Sequence, residues 1–303
     1  MRKRNLICGI YLVTLVALIF GVSKTRASSD HRHHHSMNMG GGELPANDCS
    51  DLRMRFDDRD AVVRSEDKTL AKGEVNVLQV RPHRNGGVQV VGWDKDSYSV
   101  TACKGANADG DAESVLSQIQ LVVEGDKVSV KGPSGGGDWT VYLLVKAPKS
   151  ASVDVDTENG PVGIYDLGGK LTAHAKNGPI SLKNFSGDAD VTATNGPISL
   201  EGSSGNVRVH TQNGPISVDL EGATWKGTGL SADAENGPVT LHVPSGYQSS
   251  FVVESKGYSP ISCHSSVCGD ARKTWDDDHK RIEYGNGPAV IRLSTVNGPV
   301  SVD

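Results

Sequence analysis

The sequence is poor in aromatic residues. Tryptophan, tyrosine and phenylalanine together make up 5% of the 303 residues, whereas glycine alone contributes 36. Glycine adopts backbone conformations that other residues avoid, so it is common at tight turns. This composition is typical of narrow coils with many corners.

The chain also lacks an excess of positive charge. Residues 1–27 hold five basic and no acidic residues, and without them the formal net charge is about −10. An acidic surface repels phosphate groups, which argues against nucleic acid or anionic lipid as the partner.

Only one long apolar run is present, at residues 6–22, between Arg2-Lys3-Arg4 and the small-residue sequence Thr25-Arg26-Ala27. This layout predicts a secretory signal peptide over residues 1–27. The protein is then exported to the periplasm, cell surface or extracellular space, and an uncleaved membrane anchor is the alternative. Cys8 lies at the start of the run, so we do not interpret it as a lipoprotein acylation site.

Residues 28–48 are expected to be a flexible linker rich in histidine and glycine. The linker contains four histidines whose side chains are suitable ligands for a transition metal: His31, His33, His34 and His35. A disordered linker without a metal site is the favoured interpretation.

Four cysteines remain after cleavage, an even number for an oxidising compartment: Cys49, Cys103, Cys263 and Cys268. Sequence alone permits three pairings. The short spacing of Cys263 and Cys268 favours a local bridge, which leaves Cys49 to pair with Cys103. None has a partner at two-residue spacing, which disfavours zinc.

The tripeptide Asn-Gly-Pro occurs seven times, and four consecutive copies are 18 residues apart. Alternating apolar residues precede and follow each copy, so each unit predicts two short strands with one buried face apiece. Neither strand buries its apolar face alone, whereas stacked units share a continuous core. The expected corners are Asn159-Gly160-Pro161, Asn177-Gly178-Pro179, Asn195-Gly196-Pro197, Asn213-Gly214-Pro215, Asn236-Gly237-Pro238 and Asn297-Gly298-Pro299.

Two ways of stacking these units compete. In a meander, Asn-Gly closes an antiparallel hairpin. In a β-solenoid similar to a parallel β-helix, equivalent strands of successive coils pair in parallel, about 4.8 Å apart. Proline after each glycine removes a backbone donor just after the turn, which fits a corner better than a two-residue hairpin. We therefore expect an all-β fold, a β-solenoid of about 18-residue coils over residues 151–303.

Beyond residue 218 the period loosens, and residues 244–285 are expected to form an insert that includes a degenerate coil. Asn286 and Asn297 are only 11 residues apart, so we assign Asn297 as the true corner and Asn286 to the preceding loop. Val300–Asp303 then forms a last strand whose edge needs cover from a partner, from the insert, or from a segment outside this sequence.

Upstream, residues 49–150 also alternate, and only residues 111–117 suggest a short helix. This N-terminal β region is either a separate domain or the first irregular coils of the solenoid. We favour irregular coils, because Asn85-Gly86-Gly87 followed by Val88 and Val90 echoes the corner and strand of the later units.

The sequence contains two acidic clusters that are candidates for a functional site. Asp276, Asp277 and Asp278 are weak candidates for calcium ligands, with Trp275 beside them as a residue that could stack on a sugar, but no calcium-loop spacing accompanies them. A solvated acidic loop is the simpler interpretation.

The second acidic cluster is Asp154, Asp156 and Glu158, on the outer face of the first coil. It would suit a polysaccharide lyase, yet no arginine or lysine cluster is expected nearby.

Histidine and serine columns give no catalytic site either. His174 and His210 are expected two coils apart, about 9.6 Å, too far for one metal ion. The column of Ser181, Ser199 and Ser217 has no histidine and acid at its level, so a hydrolase triad is not supported. We therefore expect no catalytic residue and no cofactor. Outward charges, such as Lys183 beside Glu201, are expected to form cross-strand pairs.

Three motifs carry a family resemblance: the repeated corner Asn-Gly-Pro-Ile-Ser-Leu, Gly92-Trp93-Asp94 after an alternating strand, and Leu293-Ser294-Thr295-Val296-Asn297-Gly298. Over roughly residues 75–303 the chain resembles the bacterial putative-adhesin domain family of unknown function. The resemblance implies a β-helical fold and a cell-envelope location, and it carries over no catalytic residues.

We accordingly expect an exported, non-enzymatic, adhesin-like protein whose repetitive β surface binds an envelope glycan or a surface protein. Self-association through the C-terminal edge of the solenoid is a further expectation. The alternatives are a polysaccharide-acting enzyme on a β-helix scaffold and a structural spacer or envelope-stress module.

Overall fold

The structure is a computed structural model that describes residues 45–108, 110–134, 138–202, 204–257, 259–276, 279–288 and 290–303. The signal peptide predicted at residues 1–27, most of the linker, and the candidates Asp277 and Asp278 lie outside the described residues. No helix within the described ranges is long and apolar enough to span a membrane.

The described residues before the repeats form nine strands and one short α-helix. They are β1 (Arg55–Phe56), β2 (Arg59–Asp60), β3 (Val62–Ala71), β4 (Leu78–Arg81), β5 (Val88–Trp93), β6 (Ser97–Ala106), α1 (Ala112–Gln118), β7 (Gln120–Glu124), β8 (Lys127–Lys131) and β9 (Trp139–Pro148). The short helix expected from the sequence is confirmed. Asp111 caps it by accepting a hydrogen bond from the Ser114 backbone amide.

The repeats supply the next ten strands, two for each unit. They are β10 (Val153–Asn159), β11 (Val162–Tyr165), β12 (Lys170–Asn177), β13 (Ile180–Lys183), β14 (Asp188–Asn195), β15 (Ile198–Gly202), β16 (Ser204–Asn213), β17 (Ile216–Leu220), β18 (Lys226–Asn236) and β19 (Val239–His242). The remaining strands are β20 (Phe251–Ser255), β21 (Ile261–Cys263), β22 (Arg272–Trp275), β23 (Lys280–Tyr284), β24 (Ile291–Asn297) and β25 (Val300–Val302).

Nearly all of these strands belong to two long sheets. Sheet I has the strand order β22-β23-β20-β24-β18-β16-β14-β12-β10-β4-β8-β7, and sheet II has the order β21-β25-β19-β17-β15-β13-β11-β5-β9-β6-β3. The prediction of an all-β fold is confirmed, with long parallel stretches in both sheets.

The two strands of one repeat lie in different sheets, and each pairs in parallel with its equivalent in the next repeat. Val191 is in register with Val209, and Ile198 is in register with Ile216. The meander is therefore wrong, because an antiparallel hairpin would pair the two strands of one unit with each other.

The core lies on the inward faces of both sheets. Alternate residues of each repeat strand are buried, among them Val191 and Leu182, which are 0% and 1% exposed. Burying an aliphatic side chain of this size contributes roughly 1.5–3 kcal/mol. The alternation predicted from the sequence therefore continues as a single apolar column through successive units.

Strands from before the repeats continue both sheets without interruption. In sheet I, β4 pairs in parallel with β10, and in sheet II, β5 pairs in parallel with β11. The outermost pairs, such as β3 with β6 and β7 with β8, are antiparallel. The pairing is thus parallel at the junction with the repeats and changes direction further out.

The C-terminal strands are not at an edge. In sheet I, β24 lies between β18 and β20, and in sheet II, β25 lies between β19 and β21. Of the three ways of covering the last strand that the sequence left open, the structure shows the insert, whose strands β20 and β21 pair with β24 and β25. Asn297 is in register with Asn236, which confirms it as the corner, and Asn286 lies in the loop before β24.

Candidate binding surface

The corners stack into a continuous ladder of asparagine side chains. Each amide nitrogen donates to the side-chain oxygen of the preceding asparagine, for example from Asn195 Nδ2 to Asn177 Oδ1 at 3.0 Å. The ladder contains Asn85, Asn159, Asn177, Asn195, Asn213, Asn236 and Asn297. Asn85 was recognised from the sequence only as an echo of the repeat, and it forms the first rung.

The glycine of each corner is required by close approach of the backbones. A Cβ added to Gly196 would lie 2.2 Å from the carbonyl oxygen of Gly178, so no side chain fits. Each proline then projects on the outer side of sheet II. Six such prolines form a proline column, exposed except for the half-buried first member: Pro161, Pro179, Pro197, Pro215, Pro238 and Pro299.

A column of hydroxyl groups runs beside the prolines on the outer face of sheet II. Residues two apart on a strand share a face, so each hydroxyl residue lies on the same side as the proline two positions before it. We call these six half-exposed residues the hydroxyl column, and in spatial order they are Ser181, Ser199, Ser217, Thr240, Ser301 and Ser262. At a strand spacing of about 4.8 Å, the column extends over about 24 Å.

Charged residues border the hydroxyl column on its other side. Lys183 Nζ lies 2.9 Å from Glu201, which confirms the ion pair expected from the sequence, and this hydrogen bond raises the pKa of Lys183. Further along, His264 Nδ1 is 3.1 Å from Asp303. The Ser301 hydroxyl, followed by His264, lowers the pKa of the Asp303 carboxyl group.

Each acid of the cluster on the outer face of sheet I lies close to an arginine or a histidine. Arg81 Nη2 lies 2.7 Å from Asp154 Oδ2, His174 Nδ1 lies 3.2 Å from Asp156, and Arg84 Nε lies 3.8 Å from Glu158. The expectation that no arginine lies near these acids is therefore wrong. The two arginines come from β4 and the loop after it, a region whose sequence has no period from which their position could be read.

A cleft of about 590 Å³ lies next to this cluster, at the first corner. It is lined by His83, Arg84, Asn85, Gly132, Pro133, Ser134, Glu158 and Asn159. The His83 ring packs 4.1 Å from the ring of Trp139, and burial, with a smaller effect of Arg84, lowers the pKa of His83. The cleft therefore presents a neutral imidazole, an arginine–carboxylate pair and two amides.

A second, more open cleft of about 840 Å³ lies along the loop between β23 and β24. It is lined by Gln248, Ser249, Ser250, Asp270, Tyr284, Gly285, Asn286, Gly287, Pro288 and Val290. Tyr284 stacks on Phe251 at 5.2 Å and donates its hydroxyl hydrogen to the Tyr247 carbonyl oxygen. The phenol is thereby held in place by groups outside the cleft.

The candidate calcium loop is only partly described. Trp275 ends β22 with 52% of its surface exposed, and the Asp276 backbone amide donates to the His279 carbonyl oxygen. The His279 side chain, just before β23, lies 3.1 Å from Glu254 in the neighbouring strand β20. Among the residues described, no group of three His, Cys, Asp or Glu side chains is arranged to hold a metal ion.

The other sequence candidates are separated in the structure. Thr192 lies between His174 and His210 in sheet I, and each histidine has its own acidic neighbour, Asp156 and Glu235 respectively. Both expected disulfides are confirmed, joining Cys49 to Cys103 and Cys263 to Cys268.

Comparison with solved structures finds bacterial proteins of adhesin-like description. A putative cell adhesion protein from Clostridium sporogenes is 10% identical, with 80% of this chain and 99% of that chain covered and a TM-score of 0.33. A putative adhesin from Bacteroides fragilis is 12% identical, with 80% and 97% covered and a TM-score of 0.40. A putative lipid binding protein from Parabacteroides distasonis is 8% identical, with 80% and 97% covered and a TM-score of 0.29.

The resemblance to putative adhesins of unknown function is confirmed by the descriptions of these neighbours. No protein-family model and no curated protein matches the sequence.

Proposed function

We propose that this protein is an exported, non-enzymatic, adhesin-like β-solenoid of the cell envelope that binds an extended glycan along the outer face of sheet II. The observation that carries the proposal is the hydroxyl column, in which six Ser or Thr residues occur in register on consecutive strands. Two disulfides support an oxidising compartment.

The surface repeats along one axis, and this favours a partner that also repeats. The five levels from Ser181 to Ser301 offer the same groups: an amide from the corner, an apolar proline ring and a hydroxyl. The last level offers Pro260 and Ser262 without a corner asparagine. Sugar units of a glycan chain carry hydroxyl groups and apolar C–H faces, which complement these groups one by one. A single set contributes little, so useful affinity requires several coils to engage one polymer at once.

The proposal predicts that affinity depends on polymer length. Binding of a mono- or disaccharide is expected to be weak, and affinity should rise with chain length until the polymer covers the roughly 24 Å of the column. Isothermal titration with a graded series of neutral oligosaccharides measures this dependence. Sedimentation with isolated peptidoglycan measures binding to the intact polymer.

Two substitutions in the same repeat separate the proposed face from the opposite one. Ser199→Arg places a long charged side chain in the middle of the hydroxyl column. Thr192→Arg places the same side chain on the outer face of sheet I, on the preceding strand of the chain. We expect at least a tenfold loss of polymer binding for the first and little change for the second. Equal losses, or no length dependence, would contradict the proposal. Absence of binding to any polymer would favour the structural-spacer alternative.

A further inference from the structure

The segment of residues 291–303 occupies a slot formed by two parts of the chain that precede it. Its strand β24 lies between β18 and β20, and its strand β25 lies between β19 and β21. All four of these pairings are parallel. The body of the stack from β10 to β19 follows chain order in both sheets, and beyond its C-terminal end the spatial order departs from sequence order at this insertion.

The inward side chains of the segment are as deeply buried as those of the repeat strands. Its inward residues are Ile291, Leu293, Thr295, Val300 and Val302, each 0% or 1% exposed. The backbone is held from both sides: the Asp303 amide donates to the Leu241 carbonyl oxygen at 2.9 Å, and the Lys256 amide donates to the Thr295 carbonyl oxygen at 2.9 Å. The slot therefore selects a strand pair with this pattern of apolar side chains and hydrogen bonds.

A single exposed connection joins the segment to the rest of the protein. We call residues 285–290, between β23 and β24, the hinge; residues 285–288 within it are exposed. The hinge crosses over the start of β20, since both Tyr284 and Ile291 are in register with Phe251, on opposite sides of it. The Gly287 amide donates to Ser250 Oγ at 3.2 Å along this path.

We propose that the slot is a strand-acceptor site and that its second occupant is the 291–303 segment of another copy of this chain. The contacts inside the slot are the same whichever copy supplies the segment, so only the hinge distinguishes the closed form from the exchanged form. Donation of a strand between subunits is an established mode of assembly that uses main-chain hydrogen bonds for affinity and alternate side chains for specificity.

Exchange differs from pairing at an open edge, the form of self-association expected from the sequence. The outer strand of sheet I at this end is β22, whose four residues are exposed and include Arg272 and Lys273. Charged side chains on an edge strand discourage pairing with another copy. Exchange leaves this edge unchanged and links the copies through their interiors.

Shortening the hinge tests the proposal by preventing closure. In the closed form, the path from Tyr284 to Ile291 spans two strand spacings, about 9.6 Å, and must also pass over Ser250. Deletion of residues 285–289 leaves two Cα-to-Cα steps, which reach at most about 7.6 Å when fully extended and cannot close the path. We expect this variant to form dimers and larger species by light scattering, with an unchanged circular dichroism spectrum. A matched variant with five Gly and Ser residues inserted after Gly287 should remain in the state of the parent chain. A folded monomer after the deletion would overturn the proposal.

A mixing experiment decides the question with the hinge intact, and it decides alone if the deletion variant does not fold. Thr240 in β19 is in register with Ser301 in β25. Full-length Thr240→Cys and full-length Ser301→Cys are mixed, warmed to just below the melting temperature, cooled and oxidised. A disulfide-linked heterodimer is expected, because the segment of one copy then lies beside β19 of the other.

The control mixture combines Ser199→Cys with Ser217→Cys, which are neighbours within one chain but not across the slot. We expect no linked dimer from this pair. Linked dimer in neither mixture, or equally in both, would overturn the proposal.

Discussion

The body of the repeat, β10–β19, and the C-terminal end, β20–β25, are built from the same kind of strand pair but are ordered differently. In the body, each strand pairs with its equivalent in the next unit, 18 residues away as far as β17 and 23 residues away for β18 and β19. Ile198, for example, meets both Ile180 and Ile216. At the end, Asn236 meets Asn297 across a gap of 61 residues. A local period therefore determines the structure of the body, whereas the end depends on contacts between distant segments.

The largest expected loss of stability comes from removing one of the two disulfides, which lie on either side of the body in the sequence. The Cys49–Cys103 bond closes a loop with a sequence separation of 54, and the Cys263–Cys268 bond closes one of only 5. On loop entropy alone, removing the first should cost about 4 kcal/mol and removing the second about 2 kcal/mol. Urea unfolding of the two double Cys→Ala variants measures both values. A larger loss for the short loop would contradict a mainly entropic role.

A glycine-to-alanine pair compares the corners of the body with the end. Gly196→Ala places a Cβ 2.2 Å from the Gly178 carbonyl oxygen, whereas nothing lies within 4 Å of a Cβ at Gly269. Because both neighbouring coils would have to shift, we expect a loss of about 3 kcal/mol for Gly196→Ala and little change for Gly269→Ala. Thermal unfolding of both variants provides the test. Similar melting temperatures would show that the stacked corners are looser than the structure indicates.

Asparagine substitutions make the same comparison with a smaller effect. The Asn195 side chain donates a hydrogen bond to Asn177 and accepts one from Asn213, so Asn195→Ala removes two side-chain hydrogen bonds from the exposed asparagine ladder. We expect a loss of about 1 kcal/mol, since exposed hydrogen bonds exchange with water. Asn286→Ala, in the hinge loop, should change the free energy of unfolding by less. Chemical denaturation resolves the two, and equal effects would remove the energetic distinction between ladder and loop.

The smallest expected effect is a pH dependence of stability at the C-terminal end. Hydrogen bonds from Arg281 and then Arg272 hold the pKa of Glu283 below its ordinary value of 4.5. A lowered folded-state pKa means that the stabilisation is complete above pH 4.5 and is lost as the pH falls through the folded-state pKa. Unfolding curves of the parent chain and of Glu283→Gln should therefore converge as the pH decreases through this range. Parallel curves at all pH values would contradict the contribution of this carboxylate.

The same contrast explains what could be predicted from the sequence. The strands and corners of the body follow from alternation and from the period, and the disulfide pairing follows from cysteine spacing. The positions of Arg81 and Arg84 beside the acidic cluster do not, because β4 pairs with β10 across a stretch of sequence without a period. The insertion of β24 between β18 and β20 could not be predicted from the sequence either. The repeat pattern predicts parallel pairing for both β20 and β24, but it does not say which of the two strands lies next to β18.

The order of strands at the C-terminal end is the central claim, and engineered disulfides test it most directly within one chain. Thr240 is in register with Ser301, and Ser262 lies one strand further away, on the far side of Ser301. Adjacent strands, about 4.8 Å apart, fall within the Cα range of a disulfide, whereas strands about 9.6 Å apart do not. Oxidation followed by peptide mapping should show a bond in Thr240→Cys/Ser301→Cys and none in Thr240→Cys/Ser262→Cys. A bond in the second variant and none in the first would show that the levels follow chain order and would contradict the structure proposed for this end.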